Sequence, residues 1–166
     1  MSADNIVIYP DHVLIDRADE IKDIDQDVIN LVDTMKDTLY IAPGVGLAAP
    51  QVGSPTRIIL VDPTAKKGSK KLVVMLNPII MERQGMESDT EMCLSVPDVS
   101  VEIQRATLIL VHGIDIDGKA MEMEIEGFPA RIFQHEIDHL NGRVILDYAS
   151  RLKKSIYLKK RRKKKQ

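Results

Sequence analysis

The sequence predicts an α+β fold, with mixed, mostly antiparallel sheets packed around a central helix and a basic helix at the C-terminal end. Three observations carry that expectation. Helix-period segments occur near the start, around residue 130 and at the end, while β-type runs are grouped between the first two. Strands and helices do not alternate as a parallel βαβ sheet requires, and no segment repeats at a fixed period. The chain has 166 residues, 44% of them apolar and 29% charged, which suits one globular domain with a core.

The elements follow in order. Ile24, Val28, Leu31, Val32, Met35 and Leu39 recur at helical spacing, with Asp25 as an N-cap and Pro43-Gly44 as the stop. "TRIILVD", "KLVVMLNPII" and "ATLILVHGID" then read as strands, the last running into a turn at Asp117-Gly118. In "AMEMEIEG", Met121, Met123 and Ile125 alternate with glutamates, the pattern of a half-buried strand. Pro129 fits the first turn of a central helix carrying His135 and His139, and Asn141-Gly142 ends it. Strand residues are expected next, then a final helix from Ser150 into the tail.

Charge divides the chain. Residues 151–166, "RLKKSIYLKKRRKKKQ", hold ten Lys/Arg and no acid, leaving 13 basic against 25 acidic residues and a body near −12. The expected organisation is therefore a globular domain over 1–149 and a basic helix or tail over 150–166. Apolar runs such as Ile58–Val61 and Leu72–Leu76 are too short to cross a bilayer. A single cysteine and the lack of a signal-peptide pattern at the start point to a reducing cytoplasm, with no membrane partner.

"QHEIDHLNG", residues 134–142, carries the chemistry. His135 and His139 stand four apart, share a helix face and form the H-E-x-x-H pattern of two imidazole ligands beside an acid-base glutamate, Glu136. A catalytic centre of this kind needs a third protein ligand. The longer protease motif would place it at Ile145, and no glutamate follows Glu136, so the metallopeptidase reading lacks a ligand. Asp147 lies just past the helix end, and His12 and His112 have nothing ligand-like beside them in the sequence. Cys93, in "EMCLSVP", remains; a thiolate with two imidazoles and a water suits Zn²⁺ or Fe²⁺. An RNA-binding protein with a structural metal, the other alternative, would need four closed ligands. The small-residue stretch "GVGLAAPQVG" suits a wall that a substrate backbone can approach, with Gln51 as an amide donor.

Three stretches together, Gly44-Val45-Gly46-Leu47-Ala48-Ala49-Pro50-Gln51, Glu91-Met92-Cys93-Leu94-Ser95 and His135-Glu136-Ile137-Asp138-His139, resemble the peptide deformylases in motif, order and spacing. Met92 departs from the pattern, which has glycine there. The resemblance implies hydrolysis of N-formylmethionyl peptides to formate and a free amino terminus. It assigns one ion per chain, Fe²⁺ with Zn²⁺ or Ni²⁺ as substitutes, to Cys93, His135 and His139. Glu136 becomes the proton carrier, and Gln51 with the backbone N–H of Leu94 the oxyanion donors. The peptide is expected as an added strand between Gly44, Val45, Gly46 and the chain at Glu91 and Met92. Phe128 and Ile132 are candidates for the methionine pocket by helical phase. The resemblance further implies a monomer whose basic tail docks on the ribosome. A glycine at position 92 would serve either a left-handed backbone or room for the substrate; alternation favours the second, with Met92 on the cleft rim.

Overall fold

A computed structural model describes residues 6–68 and 71–164. Seven strands and three α-helices follow one another as α1 (Gln26–Ile41), β1 (Gly46–Ala48), β2 (Ile58–Val61), β3 (Val73–Gln84), β4 (Glu87–Cys93), β5 (Val96–Arg105), β6 (Leu108–Ile114), β7 (Ala120–Glu126), α2 (Gly127–Leu140) and α3 (Arg151–Lys164). The α+β expectation holds. A five-stranded antiparallel sheet has the order β1-β2-β3-β6-β7, and β4 pairs with β5 in a separate two-stranded sheet.

α1 starts where the Asp25 carboxylate accepts the Val28 N–H at 3.0 Å, satisfying one of the free donors of the first turn. It ends at Ile41, two residues before Pro43, whose ring disfavours helix in the residue before it. Its apolar stripe of Val32, Met35 and Leu39 packs with Ile58, Leu60 and Leu76 on one face of the larger sheet. α2 covers the other face, where Ile132, Phe133, Ile137 and Leu140 meet Ile59, Met75, Ile109 and Val111. β2 therefore has a helix on each side, which explains its unbroken apolar run. A third cluster joins Cys93, Val101 and Ile103 of the small sheet to Val144, Ile145, Leu146 and Tyr157.

Three local expectations are corrected. The strand residues expected after α2 form a 3₁₀ turn, Ile145–Asp147, in which the Asp147 carboxylate accepts the Val144 N–H at 2.9 Å. That bond, with Ile145 and Leu146 both buried, coils a run too short to pair. His112 lies inside β6 and has a neighbour after all, Glu122 of β7, at 2.7 Å. β4 and β5 are additions to the expected strands: four of the seven β4 residues form a solvent-exposed polar run with no alternation to read, while β5 does alternate, with Val101 and Ile103 buried between exposed Ser100, Glu102 and Gln104. Among the described residues, no helix is long and apolar enough to cross a membrane.

Candidate active site

α2 leaves β7 through Gly127, whose φ of +66° lets the chain turn straight from strand to helix. About two turns in, His135 and then His139 emerge on the face that looks toward the end of β4. Cys93 closes β4 just after a register shift at Met92/Cys93, which turns its thiol inward. The ligand atoms of Cys93, His135 and His139 lie within 4.8 Å of one another, and His139 Nε2 is 3.3 Å from Cys93 Sγ. Burial works against ionisation of this thiol, but the charges of both imidazoles and their hydrogen bonds outweigh it and hold its pKa well below the usual value. The donor set is thus a thiolate and two imidazoles, which fits one thiophilic divalent ion.

His135 is fixed from behind. Its Nδ1 is 2.8 Å from Glu91 Oε2, leaving Nε2 for the site. Glu91 in turn accepts a two-point bond from Arg105 (Nε to Oε1 2.9 Å, Nη2 to Oε2 3.0 Å) and one from Arg131 Nη1 at 2.9 Å. Burial alone would favour the neutral acid here; hydrogen bonds from His135 and Arg105 reverse that and keep the carboxyl far below the usual carboxylate range. Arg105 extends the chain of contacts to Asp138 at 2.6 Å, and the Tyr148 hydroxyl donates to the same carboxylate at 2.7 Å. Asp138 therefore faces away from the three ligands and holds the support in place. Glu91, grouped from sequence with the substrate-contacting residues, has its carboxylate engaged by these partners, so its side chain serves His135 rather than a peptide.

Removing that carboxylate leaves buried arginines without an anion. Glu91→Gln is expected to cost about 3–5 kcal/mol of folding stability and roughly 10–100-fold in metal affinity, read by denaturant unfolding and metal titration. The depressed pKa sets the sign with pH: the carboxylate's stabilisation is present above the unfolded carboxyl value and is lost as pH falls through the folded one.

Glu136 is 4% exposed, and its Oε2 has no hydrogen-bond partner among the described residues. Burial, reinforced by the Cys93 and Glu91 charges against those of the two histidines, pushes its pKa up to about 7. Its other oxygen lies against Gly46, where a Cβ would come within 2.4 Å of it and within 2.7 Å of Ile132 Cγ2. Only glycine leaves that wall open. Gln51 is held by the Ala48 N–H, which donates to its Oε1 at 2.9 Å, so its Nε2 points at the site, 3.6 Å from Cys93 Sγ and 3.3 Å from Ser95 Oγ.

A cleft of about 630 Å³ opens over these groups. Gly44, Val45 and Gly46 form one wall, Glu91 to Leu94 the other, and Phe128, Ile132, His135 and Glu136 the floor; Gln51 also lines it, while His139 lies behind, 1% exposed. The only positive-φ residues other than glycine are Asn77 and Asp98 among the described residues, so Met92 carries no such backbone. It is 72% exposed on the cleft rim, where room is the relevant quantity. Met92→Gly is accordingly expected to change KM for long peptides while leaving Tm and metal content unaltered. Arg105 and Arg131 were missed from sequence. Arg131 stands four residues before His135, a spacing that could have flagged it; nothing local marks Arg105.

The family model described as polypeptide deformylase matches residues 3–155. The chain belongs to the polypeptide deformylase family. It is 42% identical over 152 residues to the peptide deformylase of Thermodesulfovibrio yellowstonii, covering 92% of each chain. With that of Pelotomaculum thermopropionicum it shares 42% over 156 residues, covering 94% of this chain and 97% of the other. The fold is similar to the crystal structure of a peptide deformylase from Legionella pneumophila, at a TM-score of 0.87 and 38% identity over 96% of this chain and 94% of that one. The deformylase family is metal-dependent, and the Cys93, His135 and His139 cluster could hold one ion.

Proposed function

We propose that this protein is a peptide deformylase that hydrolyses N-formylmethionyl peptides to formate and a free amine. One observation carries the reading: a Cys-His-His cluster beside a buried glutamate with an unpartnered oxygen, at the bottom of a peptide-sized cleft. Cys93, His135 and His139 would hold the ion, which when bound supplies Lewis acidity and lowers the pKa of water. Glu136 takes the water's proton on its free oxygen and later delivers it to the leaving nitrogen. The Gln51 amide and the Leu94 N–H stabilise the charge developing on the formyl oxygen. Among the described residues β1 pairs only with β2, and β4 only with β5, so each offers an edge to an extended peptide. Phe128 and Ile132 would receive the methionine side chain.

Ferrous iron is the proposed native metal, with Zn²⁺ or Ni²⁺ as substitutes, because thiolate and imidazole accept all three. A formate-release assay on a formyl-Met peptide, run with metal analysis, tests the activity. New peptide fragments without formate would instead indicate a metallopeptidase.

The protein is further proposed to act as a cytoplasmic monomer, with a catalytic domain over 1–149 and a basic tail over 150–166 that docks on ribosomal RNA. Tyr157 qualifies where that tail can be cut, since it is buried and its hydroxyl donates to the Tyr9 carbonyl at 3.4 Å. Removing residues 159–166 spares this anchor yet takes away seven of the ten positive charges. That truncation is expected to weaken ribosome co-sedimentation, most at raised salt, and to leave short formyl peptides hydrolysed at the full rate. Unchanged co-sedimentation would refute the docking role.

A further inference from the structure

A second cleft, of about 700 Å³, lies beside the Asp138 face of α2, and the proposed reaction does not use it. Arg17, Arg83, Arg105 and Arg143 line it. These are four of the six arginines in residues 1–150, and none of the seven lysines in that span joins them. In a body near −12, such a concentration of one sign is not what a uniformly solvated surface gives. Asp138 is the only acid in the lining, and it is committed to Arg105 and Tyr148. Among the described residues, Arg17, Arg83 and Arg143 form no ion pair. Arg143 meets the Tyr148 hydroxyl, a neutral partner, so its charge, like those of Arg17 and Arg83, is not neutralised by a carboxylate, and a low-dielectric wall focuses the field of all three into one concavity.

We propose that this cleft binds a phosphorylated small molecule of nucleotide size. Guanidinium forks match phosphate oxygens bidentately, so Arg17, Arg83 and Arg143 take the phosphates. The remaining lining suits an attached organic body. Ile80, Met86 and the Tyr148 ring offer apolar contact, and the Gln104 and Asn141 amides offer hydrogen bonds. The volume falls within the range of small-molecule pockets and exceeds what a single inorganic ion fills.

The test uses the full-length, metal-loaded protein and isothermal titration with ADP, pyrophosphate and citrate at fixed ionic strength. Saturable one-to-one binding of ADP, weaker binding of pyrophosphate and still weaker binding of citrate are expected. Arg17→Ala and Arg83→Ala alter exposed side chains outside the metal site, so formyl-peptide hydrolysis without ligand should be unchanged. Each should weaken ADP binding by roughly tenfold or more, the size of a lost charge-assisted bond. Removing residues 159–166 should leave ADP binding intact. The proposal is overturned by absence of saturable ADP binding, by binding that survives both arginine changes, or by binding lost with the tail. Binding of a single-stranded oligoribonucleotide but not of ADP would also overturn it, in favour of an RNA contact.

Discussion

Cys93→Ser is expected to lose most of the bound metal and nearly all activity. The thiol is the only one in the chain and sits 3.3 Å from His139 Nε2, with its ionisation promoted by both imidazoles. A serine hydroxyl is shorter, harder and protonated at neutral pH, so it replaces a charged ligand by a neutral one. Two imidazoles alone make a poor catalytic centre. Cys93→Asp separates charge from softness, because a carboxylate restores the anion and should retain a hard cation while favouring thiophilic ions less. Metal content by mass spectrometry and formate release are the measurements. A fully metallated, active serine variant would sink the assignment.

Glu136→Gln should keep its metal and lose roughly 10²–10⁴-fold in kcat, the contribution of a positioned acid-base group. The amide is nearly isosteric and stays against Gly46, so the wall of the cleft is preserved. What disappears is an oxygen able to hold a proton. The wild-type pH profile carries the same signature. Burial lifts the Glu136 pKa to about 7, and the carboxylate must be ionised to accept a proton, so kcat/KM falls as pH drops through that group's value. A neighbouring cation favours the ionised form, which places the acidic limb below 7 in the loaded enzyme. The glutamine variant should lack that limb. Equal loss of metal and turnover would show that Glu136 serves the structure instead.

The helix-borne part of the site was legible because its information is local. His135, Glu136 and His139 declare their shared face by spacing alone, and Asp25, Pro129 and Gly142 mark their helix ends by backbone chemistry. Cys93 came by elimination, possible only because the chain holds one cysteine. The support behind His135 was hidden for the opposite reason. Arg105 reaches Glu91 across the β4–β5 pairing, and a register of that kind is set by tertiary contacts, not by the polar residues of β4. The exposed polar run concealed β4, whereas β5 alternates at Val99, Val101 and Ile103 and could have been read from the sequence. Val144 to Leu146 misled in the reverse direction, since three apolar residues suit a short strand as well as a buried 3₁₀ turn.

The β4–β5 hairpin leaves the larger sheet between Gln84 and Leu108, which pair directly with each other. The five-stranded sheet is therefore continuous without it, and the hairpin hangs from a closed base as an inserted arm. Changes in that arm do not propagate through the sheet's ladder, so its solvent side is open to drift at small cost in foldability. Met92 is such a change, placed on the outward rim beside Cys93, the proposed ligand. Opposite it, Gly46 belongs to the sheet and is backed by Glu136 and Ile132, with no alternative residue that fits. The two walls of the cleft thus differ in evolvability: one is frozen by its neighbours, and new peptide preferences can be acquired through the other.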